Sequence, residues 1–221
     1  RRSAMISLSN LSDDRMRHAK SGQWWETAPH RALANNSVSY SEKPDIETFM
    51  REWTALVESK SGERGIFNRE ASKKQAEKYG RRDPNYEFGT NPCSEIILRP
   101  YQFCNLTEVV VRATDTYDDL KRKVKVATIL GTIQSSYTRF PYLRKVWQKN
   151  TEEERLLGVS LTGIMDNPLM TAVNANLEKT LDDLRNVALA TNHEYADLLG
   201  IPQSAAITCV KPSGTVSQLV D

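Results

Sequence analysis

The stretch NPCSEIILRPYQFC, residues 91–104, gathers the side chains of this sequence that are best suited to chemistry. It contains two of the three cysteines, Cys93 and Cys104, and it places Cys93 between an amide, Asn91, and a carboxylate, Glu95. In an extended segment, side chains at every second position point to the same side. If this stretch is extended, Asn91, Cys93 and Glu95 therefore share one face.

The neighbours of Cys93 indicate what kind of chemistry the thiol could do. A carboxylate beside a thiol opposes formation of a thiolate, because like charges at short range repel each other. We therefore expect Cys93 to stay a neutral thiol that donates or accepts a hydrogen atom. Glu95 could then act as a base on a substrate hydroxyl, and Asn91 could hold the substrate through hydrogen bonds. The alternative is a pair of buried, inert cysteines, which is the usual state of free cysteine.

The other two cysteines differ in their surroundings. Cys104 follows Cys93 closely, and Pro100 between them favours a turn. Such a turn would let the two segments run side by side and would bring both thiols into one cavity. Cys209 lies in the apolar stretch AAITCVK and is predicted to be a buried strand residue.

A second candidate binding feature is the stretch KPSGT, between a predicted strand and a predicted helix. Gly214 allows close backbone approach, and Ser213 and Thr215 offer hydroxyl groups. Backbone N–H groups at a helix start favour anions, so the stretch is a candidate phosphate site. It lacks the spacing of a Walker A loop, and the pattern alone favours the alternative of an ordinary capped helix start.

The elements that must position these residues alternate between strands and helices, which favours an α/β fold with mostly parallel strands. Alternation and β-branched residues predict strands at 3–8, 31–40, 91–98, 104–112 and 205–211. Helical periodicity predicts helices at 46–57, 69–80, 120–130, 152–166 and 177–199, with a further helix after the KPSGT stretch. The stretch WWETAPH is predicted to be a loop.

Composition excludes several functional classes. The 221 residues carry a net charge of +2, which gives no electrostatic basis for binding nucleic acid or an anionic membrane. No apolar run reaches the length of a membrane span. The three histidines lack the spacing of metal ligands, so no metal site is expected. Three cysteines without a regular framework indicate a reducing compartment, and we expect the cytoplasm.

Taken together, these stretches resemble the catalytic subunit of ribonucleotide reductases. The resemblance rests on NPCSEI, FCNLTEVVVR, LANNSVS, LGVSLTGIMD and KPSGTVS, which occur in the family's order and cover almost the whole chain. It implies a ten-stranded α/β barrel whose central finger loop carries the radical cysteine. Residues 1–221 would form the central part of that barrel, as a fragment truncated at both ends.

The resemblance also implies roles for individual residues. Cys93 would be the thiyl radical that removes the ribose 3′-hydrogen, Glu95 would take the 3′-hydroxyl proton, and Asn91 would position the substrate. Cys104 would be one half of the redox pair that reduces the 2′-position. The remaining implied site residues are Ser213, Gly214 and Thr215, which would bind substrate phosphates, and Arg1 and Arg2, which would lie near the effector-specificity loop.

Within the family, the short spacing from Cys93 to Cys104 resembles the adenosylcobalamin-dependent class most closely. This implies adenosylcobalamin as cofactor, a ribonucleotide substrate, ATP or deoxynucleotide effectors, and an external dithiol reductant such as thioredoxin. The host would be a bacterium or a phage in a bacterial cell. The family's other redox cysteine and its C-terminal cysteine pair are absent from this sequence.

Three alternatives to this interpretation stay open. The same fold could use a separate radical-generating subunit in place of adenosylcobalamin. The chain could also be a non-catalytic nucleotide-binding fragment, since the second redox thiol is absent. A thiol–disulfide oxidoreductase is disfavoured, because the sequence has no C-x-x-C motif and Glu95 opposes a thiolate.

Overall fold

The computed structural model describes residues 4–78, 80–171, 175–214 and 216–220, without the side chain of residue 175. The chain divides into two compact units, Arg1–Pro100 and Tyr101–Asp221. We describe each unit by itself. Both combine helices with parallel strands, so the predicted α/β class is confirmed.

The N-terminal unit is built on a three-stranded parallel sheet. Its strands are β1 (Ala4–Ser9), β2 (Ala34–Tyr40) and β3 (Gly65–Asn68), in the order β1-β2-β3. The two strands predicted in this region are confirmed. The central strand β2 is the most buried of the three, as expected for a strand with neighbours on both sides.

The described part of this unit also contains four α-helices. They are α1 (Asp14–Arg17), α2 (Trp24–Thr27), α3 (Ile46–Ser59) and α4 (Arg69–Lys78). The predicted loop at WWETAPH is wrong, because α2 and a short 3-10 helix, Pro29–Arg31, occupy it.

Helix α3 confirms the predicted start at Asp45, whose carboxylate accepts a hydrogen bond of 2.9 Å from the Thr48 N–H. Its apolar stripe faces solvent instead of the core: Ile46 is 75% and Val57 is 61% exposed. The helix instead buries Glu52, because that carboxylate forms ion pairs with two buried arginines.

The buried charges under α3 form a cluster of Glu52, Arg64 and Arg17. Arg64 donates to both carboxylate oxygens of Glu52, over 2.6 and 2.8 Å, and Arg17 donates over 3.0 Å. Burial alone would raise the pKa of Glu52, but the hydrogen bonds from Arg64 and Arg17 hold that pKa below its ordinary value. The cluster ties α1, α3 and the start of β3 together.

A short antiparallel hairpin ends the N-terminal unit. It consists of β4 (Gly89–Thr90) and β5 (Ile97–Leu98), joined by residues 91–96. Phe88, which is fully buried, packs with Phe67 and Ala76 immediately before β4, and Ile97 of β5 packs against the same cluster. The base of the hairpin is therefore fixed to the hydrophobic core of the unit.

The C-terminal unit contains a two-stranded parallel sheet of β6 (Asn105–Val110) and β7 (Leu157–Thr162). The predicted strand at 205–211 is present as an extended segment beside β7, where the Cys209 N–H donates to the Val159 carbonyl over 3.1 Å. The helices of this unit are α5 (Tyr117–Ser135), α6 (Lys145–Glu154), α7 (Pro168–Thr171), α8 (Ala175–Leu199) and α9 (Val216–Leu219), with a 3-10 helix at Ile164–Asp166.

The predicted helix at 152–166 is wrong. Helix α6 ends at Glu154, Arg155 adopts a left-handed conformation with φ of 41°, and β7 follows. Nearly every residue of β7 is buried, as is typical of a parallel strand covered on both faces. A continuous apolar run of this kind has no alternation, and periodicity alone does not separate it from a buried helix.

The hydrophobic core of the C-terminal unit lies between this sheet and the helices α5 and α8. Its buried side chains come from β6, β7, α5, α7, α8 and the extended segment: Val109, Val111, Leu120, Val124, Ala127, Leu157, Val159, Met170, Leu184, Ala188 and Ile207. The predicted helices around 120–130 and 177–199 are thus confirmed. Within the described residues, no helix is both long and apolar enough to cross a membrane.

Candidate active site

The loop of the β4–β5 hairpin, residues 91–96, carries Asn91, Cys93 and Glu95. It begins with a tight turn in which the Ser94 N–H donates to the Asn91 carbonyl over 3.1 Å. Pro92 occupies the second position of this turn, where its fixed φ angle is favourable. The turn leaves Cys93 exposed to solvent.

The predicted extended conformation of 91–98 is therefore wrong for most of its length. Only Ile97 and Leu98 form a strand, and Ser94 has a left-handed φ of 63°. An Asn–Pro pair favours a turn, and this local preference outweighs strand alternation. The three residues share one short loop, and the argument from a common strand face does not apply.

Asn91 stabilises the loop from within. Its side-chain oxygen Oδ1 accepts a hydrogen bond of 3.0 Å from the Ile96 N–H and a weak one of 3.4 Å from the Thr90 hydroxyl. Ile96 is buried and anchors the far side of the loop. Because Oδ1 holds the loop, the amide Nδ2 is the group of Asn91 that could donate to a ligand.

Glu95 presents a buried acceptor. Its carboxylate oxygen Oε2 is buried and has no hydrogen-bond partner within the described residues. Burying a polar atom without a partner costs free energy, so the arrangement suits a ligand that brings a donor. The loop thus offers an exposed thiol, an amide donor and an unsatisfied carboxylate oxygen within five residues.

Two arginines hold the hairpin from outside. Arg69 donates to the Phe88 carbonyl over 2.8 Å, and Arg82 donates to the Ile97 carbonyl over 3.0 Å. The guanidinium of Arg82 also lies over the Phe88 ring, 5.0 Å from its centroid. These contacts fix both strands of the hairpin at their bases, so the loop extends from a supported stem.

Cys104 belongs to the C-terminal unit, one residue before β6, and is half-buried. The predicted turn after Pro100 is present, with Tyr101 at a left-handed φ of 59°. The expectation that Cys93 and Cys104 share one cavity stays a prediction. Cys209, predicted to be buried, is half-buried beside β7.

The KPSGT stretch forms a turn followed by the four-residue helix α9. The Ser213 hydroxyl oxygen accepts a hydrogen bond of 2.8 Å from the Ser217 N–H, and Gly214 has a left-handed φ of 61°. Ser213 thus caps the short helix, which matches the alternative of a capped helix start. Thr215, Arg1 and Arg2 lie outside the described residues.

Two curated proteins that are similar to this chain carry the same name. A protein of Lacticaseibacillus paracasei is 31% identical over an alignment of 253 positions that covers 99% of this chain and 32% of the relative. A protein of Lactobacillus leichmannii is 29% identical with the same coverage. Both are named adenosylcobalamin-dependent ribonucleoside-triphosphate reductase. No protein-family model matches the chain.

Among solved structures, a B-12 dependent (class II) ribonucleotide reductase matches with a TM-score of 0.71 and 25% identity. The match covers 94% of this chain and 32% of that protein. Over most of its length the chain is thus similar to part of these adenosylcobalamin-dependent ribonucleotide reductases. It spans about a third of the length of the relatives that it matches.

The similarity to these reductases agrees with the resemblance found in the sequence. Among the described residues, no group of three or more His, Cys, Asp or Glu side chains is placed to hold a metal ion. Sequence reasoning missed one further acidic residue, Glu108 of β6, whose two carboxylate oxygens are both buried without a hydrogen-bond partner within the described residues. A signal for it was present, since strand alternation places Glu108 on the same side of β6 as Cys104.

Proposed function

We propose that the protein to which this chain belongs reduces ribonucleotides to 2′-deoxyribonucleotides by thiyl-radical chemistry, and so supplies precursors for DNA synthesis. The homology to ribonucleoside-triphosphate reductases supports this proposal. The structural observation that carries it is the hairpin loop, which contains the exposed Cys93 and, two residues later, the unsatisfied Glu95 Oε2. A ribose with adjacent hydroxyl groups offers the donor that this oxygen lacks.

Each loop residue takes one role in the proposed reaction. Cys93, as a thiyl radical, removes the ribose 3′-hydrogen and returns a hydrogen atom at the end of the cycle. Glu95 accepts the hydrogen bond, and then the proton, of the 3′-hydroxyl. Asn91 donates from Nδ2 to hold the sugar, because its Oδ1 is already bound to the Ile96 N–H. The loop's turn, and not a strand face, sets the relative positions of these groups.

The C-terminal unit contributes the remaining proposed groups. Cys104 is one half of the redox pair that delivers two electrons as water leaves the 2′-position. Ser213, Gly214 and Thr215 bind substrate phosphates, and the left-handed Gly214 allows backbone N–H groups to approach an anion. Arg1 and Arg2 belong to the effector-specificity loop.

Adenosylcobalamin, when bound, supplies the radical that converts a thiol into a thiyl radical. The residues present fit this cofactor in one respect. Cys93 lies on an exposed turn, where its thiol is open to lose a hydrogen atom to a radical that a bound cofactor would supply. The curated relatives, named as adenosylcobalamin-dependent, support the same cofactor for this chain.

At the level of the fold, we propose that residues 1–221 form the central part of a ten-stranded α/β barrel and that the β4–β5 hairpin is its finger loop. Parallel strands in both units and the 0.71 TM-score to a class II reductase support this placement. The proposed partners are a ribonucleotide substrate, ATP or deoxynucleotide effectors, and a thioredoxin-like dithiol reductant, with no nucleic acid and no membrane. These partners belong to the bacterial cytoplasm.

The test is an assay of the complete reading frame that contains this chain. Deoxynucleotide formation from each ribonucleotide is measured with a dithiol, with and without adenosylcobalamin, in the wild type and in Cys93→Ser. We expect product that requires adenosylcobalamin and is lost in Cys93→Ser. Product that forms only with an added metallo-subunit would support the role of Cys93 but contradict the dependence on adenosylcobalamin. A folded, complete protein that forms no product under either condition would contradict the proposed function.

A further inference from the structure

Strand β6 has one face toward the helices and an opposite face that carries an acidic residue. Thr107, Val109 and Val111 face the helices: Val109 and Val111 belong to the core with α5 and α8, and the Thr107 methyl group is 3.6 Å from the position that a Cβ on Gly131 of α5 would take. Because side chains alternate along a strand, the even-numbered residues of β6 face the opposite way. This second face therefore includes Glu108, and alternation extended by one residue beyond the strand adds Cys104.

Strand β7 adds two hydroxyl groups to the same face. Ser160 is the register partner of Glu108, and Thr162 is the register partner of Val110. Ser160 is 2% and Thr162 is 8% exposed. We call Cys104, Glu108, Ser160 and Thr162 the polar sheet face.

Glu108 is the member of the polar sheet face that the proposed reaction leaves without a role. Both of its carboxylate oxygens, Oε1 and Oε2, are buried, and neither has a hydrogen-bond partner within the described residues. Two neighbouring groups, Ser160 and Lys123, are engaged elsewhere. The Ser160 hydroxyl donates to the Thr107 carbonyl over 3.3 Å, and the Lys123 ammonium binds the Val110 carbonyl and Asp115. A buried carboxylate with two open acceptor oxygens requires donors from a ligand to offset the cost of its burial.

We propose that Glu108 is a further substrate-binding residue, which accepts hydrogen bonds from a hydroxyl or N–H group of the ribonucleotide. This inference rests on the proposed function, since it assigns a second carboxylate to the same substrate. A carboxylate accepts but cannot donate, so it selects a ligand group with a hydrogen to give. A ribose hydroxyl and the amino or imino group of a base share this chemistry. Glu108 positions the nucleotide and takes no part in the radical steps.

The test compares two variants of Glu108 with a matched control in the complete protein. Glu108→Leu removes the acceptor, and Glu108→Gln keeps the size and one acceptor oxygen but loses the charge. Glu178→Leu and Glu178→Gln make the same changes at an exposed position of α8. Binding of CTP, GTP and UTP is measured separately by equilibrium dialysis with labelled nucleotide, alongside reductase activity and thermal unfolding; ATP is left out because it is also a proposed effector.

We expect Glu108→Leu to weaken ribonucleotide binding about 10- to 100-fold, the factor given by losing a charge-assisted hydrogen bond of ~1.4–2.8 kcal/mol. Glu108→Gln should lose less ribonucleotide affinity than Glu108→Leu, and both Glu178 variants should bind ribonucleotides as the wild type does. Equal losses of affinity for all three nucleotides would assign the donor to the ribose, and unequal losses would assign it to the base. Either pattern supports the proposal.

Ribonucleotide affinities of Glu108→Leu and Glu108→Gln within about twofold of the wild type would overturn the proposal, even if the variants unfold at a lower temperature. If Glu108→Leu does not fold, the affinity of Glu108→Gln decides alone. The outcome is separable from that of the proposed function. Suppose that the wild type binds ribonucleotides, that substitution of Glu108 weakens this binding, and that no deoxynucleotide forms. This result would support the role of Glu108 and contradict the proposed reductase activity.

Discussion

Asn91 shows how one side chain can serve both the fold and the proposed chemistry. Its Oδ1 accepts from the Ile96 N–H inside the hairpin loop, so only its amide nitrogen is directed to a ligand in our account. An aspartate at this position would keep the oxygen acceptor and lose the donor. The two functions of Asn91 can therefore be separated by substitution.

We predict that Asn91→Asp keeps the thermal stability of the wild type but lowers kcat/KM roughly tenfold, because a net hydrogen bond of ~1.4 kcal/mol to the substrate is lost. Asn91→Ala should lower both the thermal stability and kcat/KM, since it also removes the hydrogen-bond acceptor of the Ile96 N–H. Steady-state kinetics and thermal unfolding of the two variants check this. Equal activity in Asn91→Asp and the wild type would contradict the assigned donor role.

The buried cluster of Glu52, Arg64 and Arg17 gives a prediction about stability. Glu52→Gln should lower the free energy of unfolding by ~3–5 kcal/mol at neutral pH, because it leaves the buried Arg64 guanidinium without its counter-charge and removes one of the two carboxylates that Arg17 binds. Urea unfolding of the wild type and the variant measures this difference. Glu178→Gln, on an exposed part of α8, is the control and should have little effect.

The same cluster sets a dependence on pH. The pKa of Glu52 in the folded chain lies below its ordinary value, so its charge contributes stability above the unfolded pKa of about 4.3. That contribution is lost as the pH falls through the folded pKa. The stability difference between wild type and Glu52→Gln should therefore be constant from pH 6 to 8 and shrink below about pH 4. A difference that does not change down to pH 2 would contradict the assigned ion pairs.

Among the elements, the β4–β5 hairpin has the most direct link to the proposed function, because its loop carries all three candidate groups of the N-terminal unit. The stem is only two residues long on each side, so its own hydrogen bonds hold it weakly. Its position depends instead on Phe88 and Ile97 in the hydrophobic cluster and on the arginine contacts at its base.

We predict that Phe88→Ala lowers the free energy of unfolding by ~3–5 kcal/mol, because it leaves a cavity in a fully buried site. Phe88→Leu, which keeps most of the volume, should cost much less. Hydrogen exchange of the Ser94 and Ile96 amides should accelerate in Phe88→Ala more than exchange in β6. Uniform acceleration across both units would contradict a local role for Phe88.

The elements also show why one prediction failed and others succeeded. Helix α5 has a capping box at Thr116 and Asp119 and a regular buried stripe, and both are visible in the sequence. Strand β7 has neither a cap nor alternation, because it is buried on both faces. Its apolar run was therefore read as part of a helix, and the left-handed Arg155 that separates α6 from β7 has no clear signal in its residue type.

At the scale of the whole molecule, the sequence alone predicts the α/β class, most strands and helices, and the candidate residues of the hairpin loop. It does not predict the loop's geometry, because the alternation of Asn91, Cys93 and Glu95 imitates a strand where Pro92 forms a turn. Glu108 was missed for a different reason. A single acidic residue in a β-branched strand has no motif, and its alternation with Cys104 is a weak signal compared with the burial of both its oxygens.

The central claim is that Cys93 carries the hydrogen-atom chemistry, and a pair of serine variants tests it most directly. Deoxynucleotide formation is measured in the complete protein with adenosylcobalamin and a dithiol, for the wild type, Cys93→Ser and Cys209→Ser. We predict no product above background for Cys93→Ser, since a serine O–H bond is far harder to break to a radical. Cys209→Ser, outside the proposed site, should stay within a fewfold of the wild type. Product from Cys93→Ser at a rate near that of the wild type would contradict the account.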